Sequence, residues 1–225
     1  MMNPFVFPDR AAAGRLLARR LQDYAGREDV LVLAIPPGGV PVGREVSLSL
    51  KLALDVLLIR NLVMPGHSET PVGVVISGGG RYLNKEVIRR LNISRSQFDV
   101  VFNAEIIELQ RRQRLYAAHP VAAAVAGRVV IVVDDGSTPC DTLDAAMQAL
   151  RAERPASIVL ALPVASQETC SRLEAAVDEL ECVYRSPDFR AAPEFYEVFE
   201  AISEQTAREL LAPKQSADRV TPLHY

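Results

Sequence analysis

Residues 129–142 constrain the fold of this chain more than any other segment; their sequence is V-V-I-V-V-D-D-G-S-T-P-C-D-T. The five consecutive β-branched residues at the start predict a strand that is buried on both faces of a parallel sheet. Asp134 and Asp135 follow this strand directly, and a helical pattern begins at about Asp141. Because ligands of open α/β sheets bind outside the carboxyl ends of the strands, we expect the two aspartates to lie at a binding site.

Strands and helices alternate along most of the chain. The hydrophobic pattern predicts strands over residues 30–35, 54–59, 72–76, 82–83, 129–133, 157–162 and 181–184. It predicts helices over residues 10–25, 41–51, 84–90, 94–118, 143–151, 167–176 and 204–211. This alternation is typical of an α/β fold, a mostly parallel sheet with helices on both faces. Loops at 36–39, 60–70 and 134–142 would then meet at one edge of the sheet.

The composition narrows the classes of protein to consider. A chain of 225 residues suits one α/β domain, and a net charge of −3 gives no reason to expect nucleic-acid binding. The chain begins without a signal-peptide pattern and contains no apolar run long enough for a membrane helix. The chain has three irregularly spaced cysteines, Cys140, Cys170 and Cys182. This pattern favours a reducing, cytoplasmic location.

Three motifs resemble those of a known family when taken together. V-L-A-I-P-P-G-G-V-P-V-G, L-D-V-L-L-I-R and V-V-D-D-G occur in this order, and they resemble the type I phosphoribosyltransferases. The likeness is greatest to a group of bacterial phosphoribosyltransferases of unassigned substrate, and it covers about residues 9–200. It implies a three-layer, flavodoxin-like sheet in a single domain over 1–212. A small hood would come from the N-terminal and roughly 185–212 segments, and the polar tail, 213–225, is predicted to be flexible.

The resemblance also implies an activity. Such a protein transfers a phosphoribosyl group from a ribosyl 5-phosphate 1-diphosphate donor to an acceptor, with Mg²⁺, in nucleotide metabolism and often as a homodimer. Asp134 and Asp135 would hold the ribose hydroxyls and, indirectly, the metal, and Arg60 would act in catalysis. The remaining candidate binding residues form the diphosphate turn, the mobile loop and the 5-phosphate loop: Pro37, Gly38, Gly39, Asn61, Gly136, Ser137, Thr138, Pro139, Cys140, Asp141 and Thr142.

Several of these residues depart from the family pattern. Pro37 and Asn61 stand where the family usually has arginine and lysine. In the 5-phosphate loop, Pro139 removes a backbone donor and Cys140 replaces a glycine. Asp141 adds a carboxylate, and two unit charges about 5 Å apart at an effective dielectric near 20 repel by roughly 3 kcal/mol. The sequence therefore predicts weakened binding of a phosphate.

Other interpretations of the same residues stay open at this point. The aspartate pair could be solvated or cap a helix, and Asp141 could be the N-cap of a helix beginning at 142, with its carboxylate in the anion site. His67, when protonated, could replace a missing cation. The aromatic residues at 195, 196 and 199 could form a core patch or stack on a base. The protein could accordingly be a transferase with an unknown acceptor, a non-catalytic binding or regulatory protein, or a protein whose ligand lacks the 5-phosphate.

Overall fold

The computed structural model describes residues 5–67, 71–116 and 124–212. The strands are β1 (Val30–Ala34), β2 (Ala53–Val56), β3 (Ile59–Leu62), β4 (Gly73–Ile76), β5 (Arg81–Leu83), β6 (Val129–Val133), β7 (Ser157–Ser166) and β8 (Glu179–Ser186). The helices are α1 (Arg10–Arg20), α2 (Gly39–Leu50), α3 (Lys85–Arg90), α4 (Arg95–Tyr116), α5 (Cys140–Arg151), α6 (Gln167–Leu173) and α7 (Glu204–Leu211). The predicted tail, 213–225, lies outside the described residues.

The main sheet has five parallel strands in the order β2-β1-β6-β7-β8. This is the strand order of flavodoxin-like folds, so the predicted fold class is confirmed. Every residue of β1 and of β6 is buried. Leu17 of α1 and Val46 of α2 pack on one face of the sheet, and Leu143 and Met147 of α5 pack on the other. Two apolar layers therefore hold the sheet, as the β-branched run of β6 predicts.

A second, antiparallel sheet stands beside the first, in the order β3-β4-β5. The predicted single strand over 54–59 is wrong, because the chain leaves the main sheet after β2 and begins β3 at Ile59. The backbone N–H of Leu57 still donates to Ala34, whereas that of Leu58 donates to the Ser77 hydroxyl beside β4. Part of the predicted exposed loop over 60–70 is therefore strand, and residues 68–70 lie outside the described part.

Helix boundaries differ from the prediction by a few residues. Asp9 caps α1 as expected, accepting a hydrogen bond of 2.6 Å from the backbone N–H of Ala12. The helix ends at Arg20 rather than at about 25 and is followed by a short 3₁₀ turn. At the other end of the chain, residues 187–200, called the hood segment below, pair with the N-terminal segment through two backbone hydrogen bonds of 2.8 Å at Phe7. Among the described helices, none is long and apolar enough to cross a membrane.

Candidate functional site

The turn after β1 and the aspartates after β6 meet at the carboxyl edge of the main sheet. A side chain at Gly38 would overlap the Asp135 carboxylate, and a Cβ at Gly39 would lie 2.7 Å from the Val133 carbonyl oxygen. Glycine is therefore required at both positions by the close approach of the two segments. The structure thus brings together two of the segments that the resemblance assigns to one site.

The Asp134 carboxylate is bonded to its own loop. It accepts hydrogen bonds from the backbone N–H groups of Gly136, at 2.9 Å, and Thr138, at 3.1 Å. The Thr138 hydroxyl donates to its other oxygen at 2.7 Å. The pKa of Asp134 is raised to about 6, mainly by burial of the carboxyl group and to a lesser extent by the negative charge of Asp135. The interpretation of the pair as solvated is wrong, because both side chains are about 1% exposed.

The Asp135 carboxylate connects the strand end to distant parts of the chain. Ser137 donates to it through its backbone N–H and its hydroxyl, at 3.1 and 2.5 Å. Arg10, the first residue of α1, donates from Nε at 2.9 Å. The Arg10 guanidinium lies 3.6 Å from the ring centroid of Phe199, and the Tyr196 hydroxyl donates to the Asp135 carbonyl at 2.8 Å. One aspartate therefore holds α1, the loop and the hood segment together.

Arg10 is a site residue that sequence reasoning misses. It lies in a predicted helix, but nothing in its local pattern distinguishes it from the other arginines of α1. The aromatic residues at 195 and 196 are 4% and 6% exposed, which favours the interpretation of this group as a core patch. The aromatic residues were the sign in the sequence that the hood segment is attached to the core. The sequence did not show that Arg10 would be the charged residue in contact with this group.

The predicted position of Asp141 is corrected by the structure. Helix α5 begins at Cys140 with Pro139 as its N-cap residue, and no side chain caps it. Asp141 therefore lies within the first turn, where its carboxylate pairs with Arg172 at 2.5 Å, and its side chain is 72% exposed. The Asp141 carboxylate is therefore not the N-cap; it pairs with the α6 guanidinium and lines a cavity between α5 and the antiparallel sheet.

A cavity of about 300 Å³ lies between the loop at 136–140, the end of β7 and the hood segment. Of the described residues that line it, none is an aspartate or glutamate, and Arg190 is the one that carries a charge. The first backbone N–H groups of α5 have no acceptor within the helix, and such groups can bind anions. Of the first three residues of α5, Cys140 lines this cavity, whereas Asp141 and Thr142 line a second one.

The antiparallel sheet places its two candidate residues in different surroundings. Arg60 donates to the Glu105 carboxylate of α4 at 2.6 Å, and no contact between it and the aspartates is seen in the described residues. Asn61 donates to the Thr142 hydroxyl at 3.1 Å. Both residues of this second contact line another cavity, of about 310 Å³, between this sheet and α5. His67 is exposed and lines neither of these two cavities.

The residues present do not fit direct binding of a metal. In the described ranges, no group of three or more histidine, cysteine or acidic side chains could hold a metal ion. The oxygens of Asp134 and Asp135 are already engaged by protein donors. Cys140 lines the cavity, but burial raises the pKa of its thiol, which opposes a nucleophilic role.

Comparison with known proteins identifies the class. The family model described as "Phosphoribosyl transferase domain" matches residues 58–197, so the chain belongs to the phosphoribosyltransferase family. Two Mycobacterium tuberculosis proteins, named "Putative phosphoribosyl transferase" Rv0571c and MT0597, are 36% identical over 199 residues. The match covers 88% of this chain and 45% of each relative, so the chain spans about half of their length. The resemblance seen in the motifs is confirmed.

A solved structure supports the fold at similar identity. The protein TT1426 from Thermus thermophilus is 34% identical, with a TM-score of 0.79, and the match covers 92% of this chain and 98% of that one. The likeness extends over the main sheet and most of the elements around it. It supports the phosphoribosyltransferase-type architecture without identifying an acceptor.

The buried Arg10–Asp135 pair leads to a prediction about stability. Arg10→Met should lower the free energy of unfolding by about 3–5 kcal/mol, because it leaves a buried carboxylate without its cation. Arg15→Met on the same helix removes an exposed pair with Glu45 and should cost under about 1 kcal/mol. Urea unfolding followed by circular dichroism measures both changes. Equal losses in the two variants would show that the buried pair has no special role.

Proposed function

We propose that this chain transfers a phosphoribosyl group from a ribosyl 5-phosphate 1-diphosphate donor to a small-molecule acceptor. The observation that carries the proposal is the cavity beside the aspartate loop, which begins at the N-terminus of α5 and has no acidic residue among its described lining. Membership of the phosphoribosyltransferase family supports the same chemistry. The donor phosphate would lie at the first turn of α5, where backbone N–H groups lack helical acceptors.

The aspartates supply the second part of the proposed site. Each carboxylate now accepts a hydrogen bond from a hydroxyl group, Asp134 from Thr138 and Asp135 from Ser137. A ribose carries two neighbouring hydroxyls that could take the place of these donors. The carboxylates would then hold and orient the sugar relative to the phosphate. We infer that the loop hydroxyls occupy the sugar positions until a ligand replaces them.

The remaining parts of the proposal follow from the family. The donor would bring Mg²⁺ on its diphosphate oxygens, since Asp134 and Asp135 do not fit as direct ligands. A single domain over 1–212, a homodimer and a cytoplasmic role in nucleotide metabolism belong to the same proposal. Val100 and Ile107, exposed on α4, are available for contact with a second copy.

A second candidate is a protein that binds the same ligand without transferring it. The direction of Arg60 favours this candidate, because its guanidinium pairs with Glu105 instead of facing the proposed diphosphate position. Pro37 and Asn61 also lack the positive charge that stabilises a leaving diphosphate. Binding of the donor would be common to both candidates, whereas release of diphosphate would occur with the first alone.

Titration of the protein with the diphosphate donor and Mg²⁺ tests the proposal directly. We expect binding in the micromolar to millimolar range by calorimetry, because the cavity offers backbone donors to the phosphate. Ribose without phosphate should bind far more weakly. Absence of heat at millimolar donor would contradict the proposal, and binding without diphosphate release for any acceptor would favour the second candidate.

Removal of the Thr138 hydroxyl should strengthen donor binding. Thr138→Ala leaves the Asp134 oxygen, now bonded at 2.7 Å, available to a ligand hydroxyl. We expect about threefold to tenfold tighter binding, the effect of one hydrogen bond that no longer competes. Thr138→Ser keeps the hydroxyl and should bind like the wild type. Unchanged or weaker binding by the alanine variant would contradict the inferred replacement of loop hydroxyls by the sugar.

The outward position of Asp141 predicts that its charge has little influence on the donor. Asp141→Asn should change donor affinity by less than about twofold, because the exposed carboxylate is paired with Arg172 and screened by solvent. Asp144→Asn, on the same helix and also paired with Arg172, is the matched control. A tenfold gain in donor affinity for Asp141→Asn alone would contradict this prediction and support the repulsion predicted from the sequence.

A further inference from the structure

The hood segment contributes to the cavity an arginine that has no polar partner among the described residues. Arg190 lines the cavity together with the loop at 136–140. In the described part of the chain, its side chain forms no hydrogen bond and no ion pair. The acids nearest to it in sequence, Asp188 and Glu194, are not among the lining residues. The positive charge of Arg190 is therefore not neutralised within the cavity.

Arg190 differs in this respect from the other arginines around the site. Arg10 is paired with Asp135, and Arg60 is paired with Glu105. Arg172 is paired with Asp141, and both line the second cavity. Each of these guanidinium groups is committed to a carboxylate, which lowers its availability to a ligand.

The backbone that carries Arg190 is held on both sides. The Phe189 ring is stacked on that of Phe195, with 5.6 Å between centroids and an interplanar angle of 6°. Ala192, two residues after Arg190, is 2% exposed. These contacts attach the hood segment to the core, so an exposed arginine at this position stays beside the cavity.

We infer that Arg190 selects an anionic ligand in this cavity, as the one charged residue of its described lining. The inference rests on the proposed function, because the same cavity would hold the donor. Guanidinium binds phosphate and carboxylate groups alike through paired N–H donors. The oxyanion is accordingly either the phosphate of the ribosyl ligand or an acidic group on the acceptor, and these two sources require separate experiments.

The phosphate source is tested with ribose 5-phosphate and ribose. Wild-type protein should bind ribose 5-phosphate, and Arg190→Gln should weaken this binding about tenfold or more, the loss expected for a charge-assisted contact. Arg190→Lys should give an intermediate loss, because a point charge replaces a paired donor. Arg89→Gln, an exposed residue of α3, changes the net charge equally and should leave the affinity unchanged.

The acceptor source is tested with nicotinate and nicotinamide, a planar carboxylate and its neutral amide. If the oxyanion belongs to the acceptor, wild-type protein should prefer nicotinate about tenfold, and Arg190→Gln should abolish this preference while it leaves ribose 5-phosphate binding unchanged. Calorimetry measures both arms, and thermal unfolding midpoints show whether each variant is folded. The Arg190 side chain is exposed and forms no hydrogen bond or ion pair with the described residues, so we expect folded variants.

The outcomes separate the inference from the proposed function. If Arg190→Gln weakens binding of ribose 5-phosphate, the inference is supported and the oxyanion is the ribosyl phosphate. If Arg190→Gln removes a preference for nicotinate, the inference is supported and the oxyanion belongs to the acceptor. Wild-type binding of the diphosphate donor with no effect of Arg190→Gln in either arm overturns the inference alone. Failure of the donor and ribose 5-phosphate to bind, with an Arg190-dependent preference for nicotinate, overturns the proposed function and keeps the anion selection. Absence of binding by every probe overturns both.

Discussion

Two adjacent carboxylates, Asp134 and Asp135, are both about 1% exposed at the end of the central strand β6. Taking a carboxylate out of water is costly unless hydrogen bonds and an opposite charge replace the solvent. The loop after the strand supplies N–H and hydroxyl donors, and Arg10 supplies the charge. The position of α1, the conformation of the loop and the attachment of the hood segment all depend on satisfying this pair.

The distribution of charge around the loop follows from the same arrangement. Three backbone N–H groups, of Gly136, Ser137 and Thr138, are directed at the aspartates. The first backbone N–H groups of α5 are the nearest donors in sequence that have no acceptor within a helix. Asp141 lies in that turn, and its carboxylate pairs with Arg172. The proposed phosphate position depends on this pairing.

Asn61 of the antiparallel sheet departs from the family pattern and has a structural role. Asn61 stands where the family usually has lysine, and it donates to the Thr142 hydroxyl at 3.1 Å. An amide can make this neutral contact without adding charge next to Asp144 and Arg172, which line the same cavity. The contact joins β3 to the first turn of α5, so the antiparallel sheet is bonded to the helix that follows the aspartate loop.

The sequence alone predicts the central strand, the aspartates at its end, the parallel α/β fold and the family. These features are encoded locally, in a β-branched run, in the residues adjacent to it and in motifs of fixed order. The folded chain adds three contacts that the sequence does not specify. Arg10 is the cation of Asp135, 125 residues away, Asp141 pairs with Arg172, and Arg190 lines a cavity. Such contacts join segments that are distant along the chain, and no periodicity or local composition specifies which charged side chains will meet.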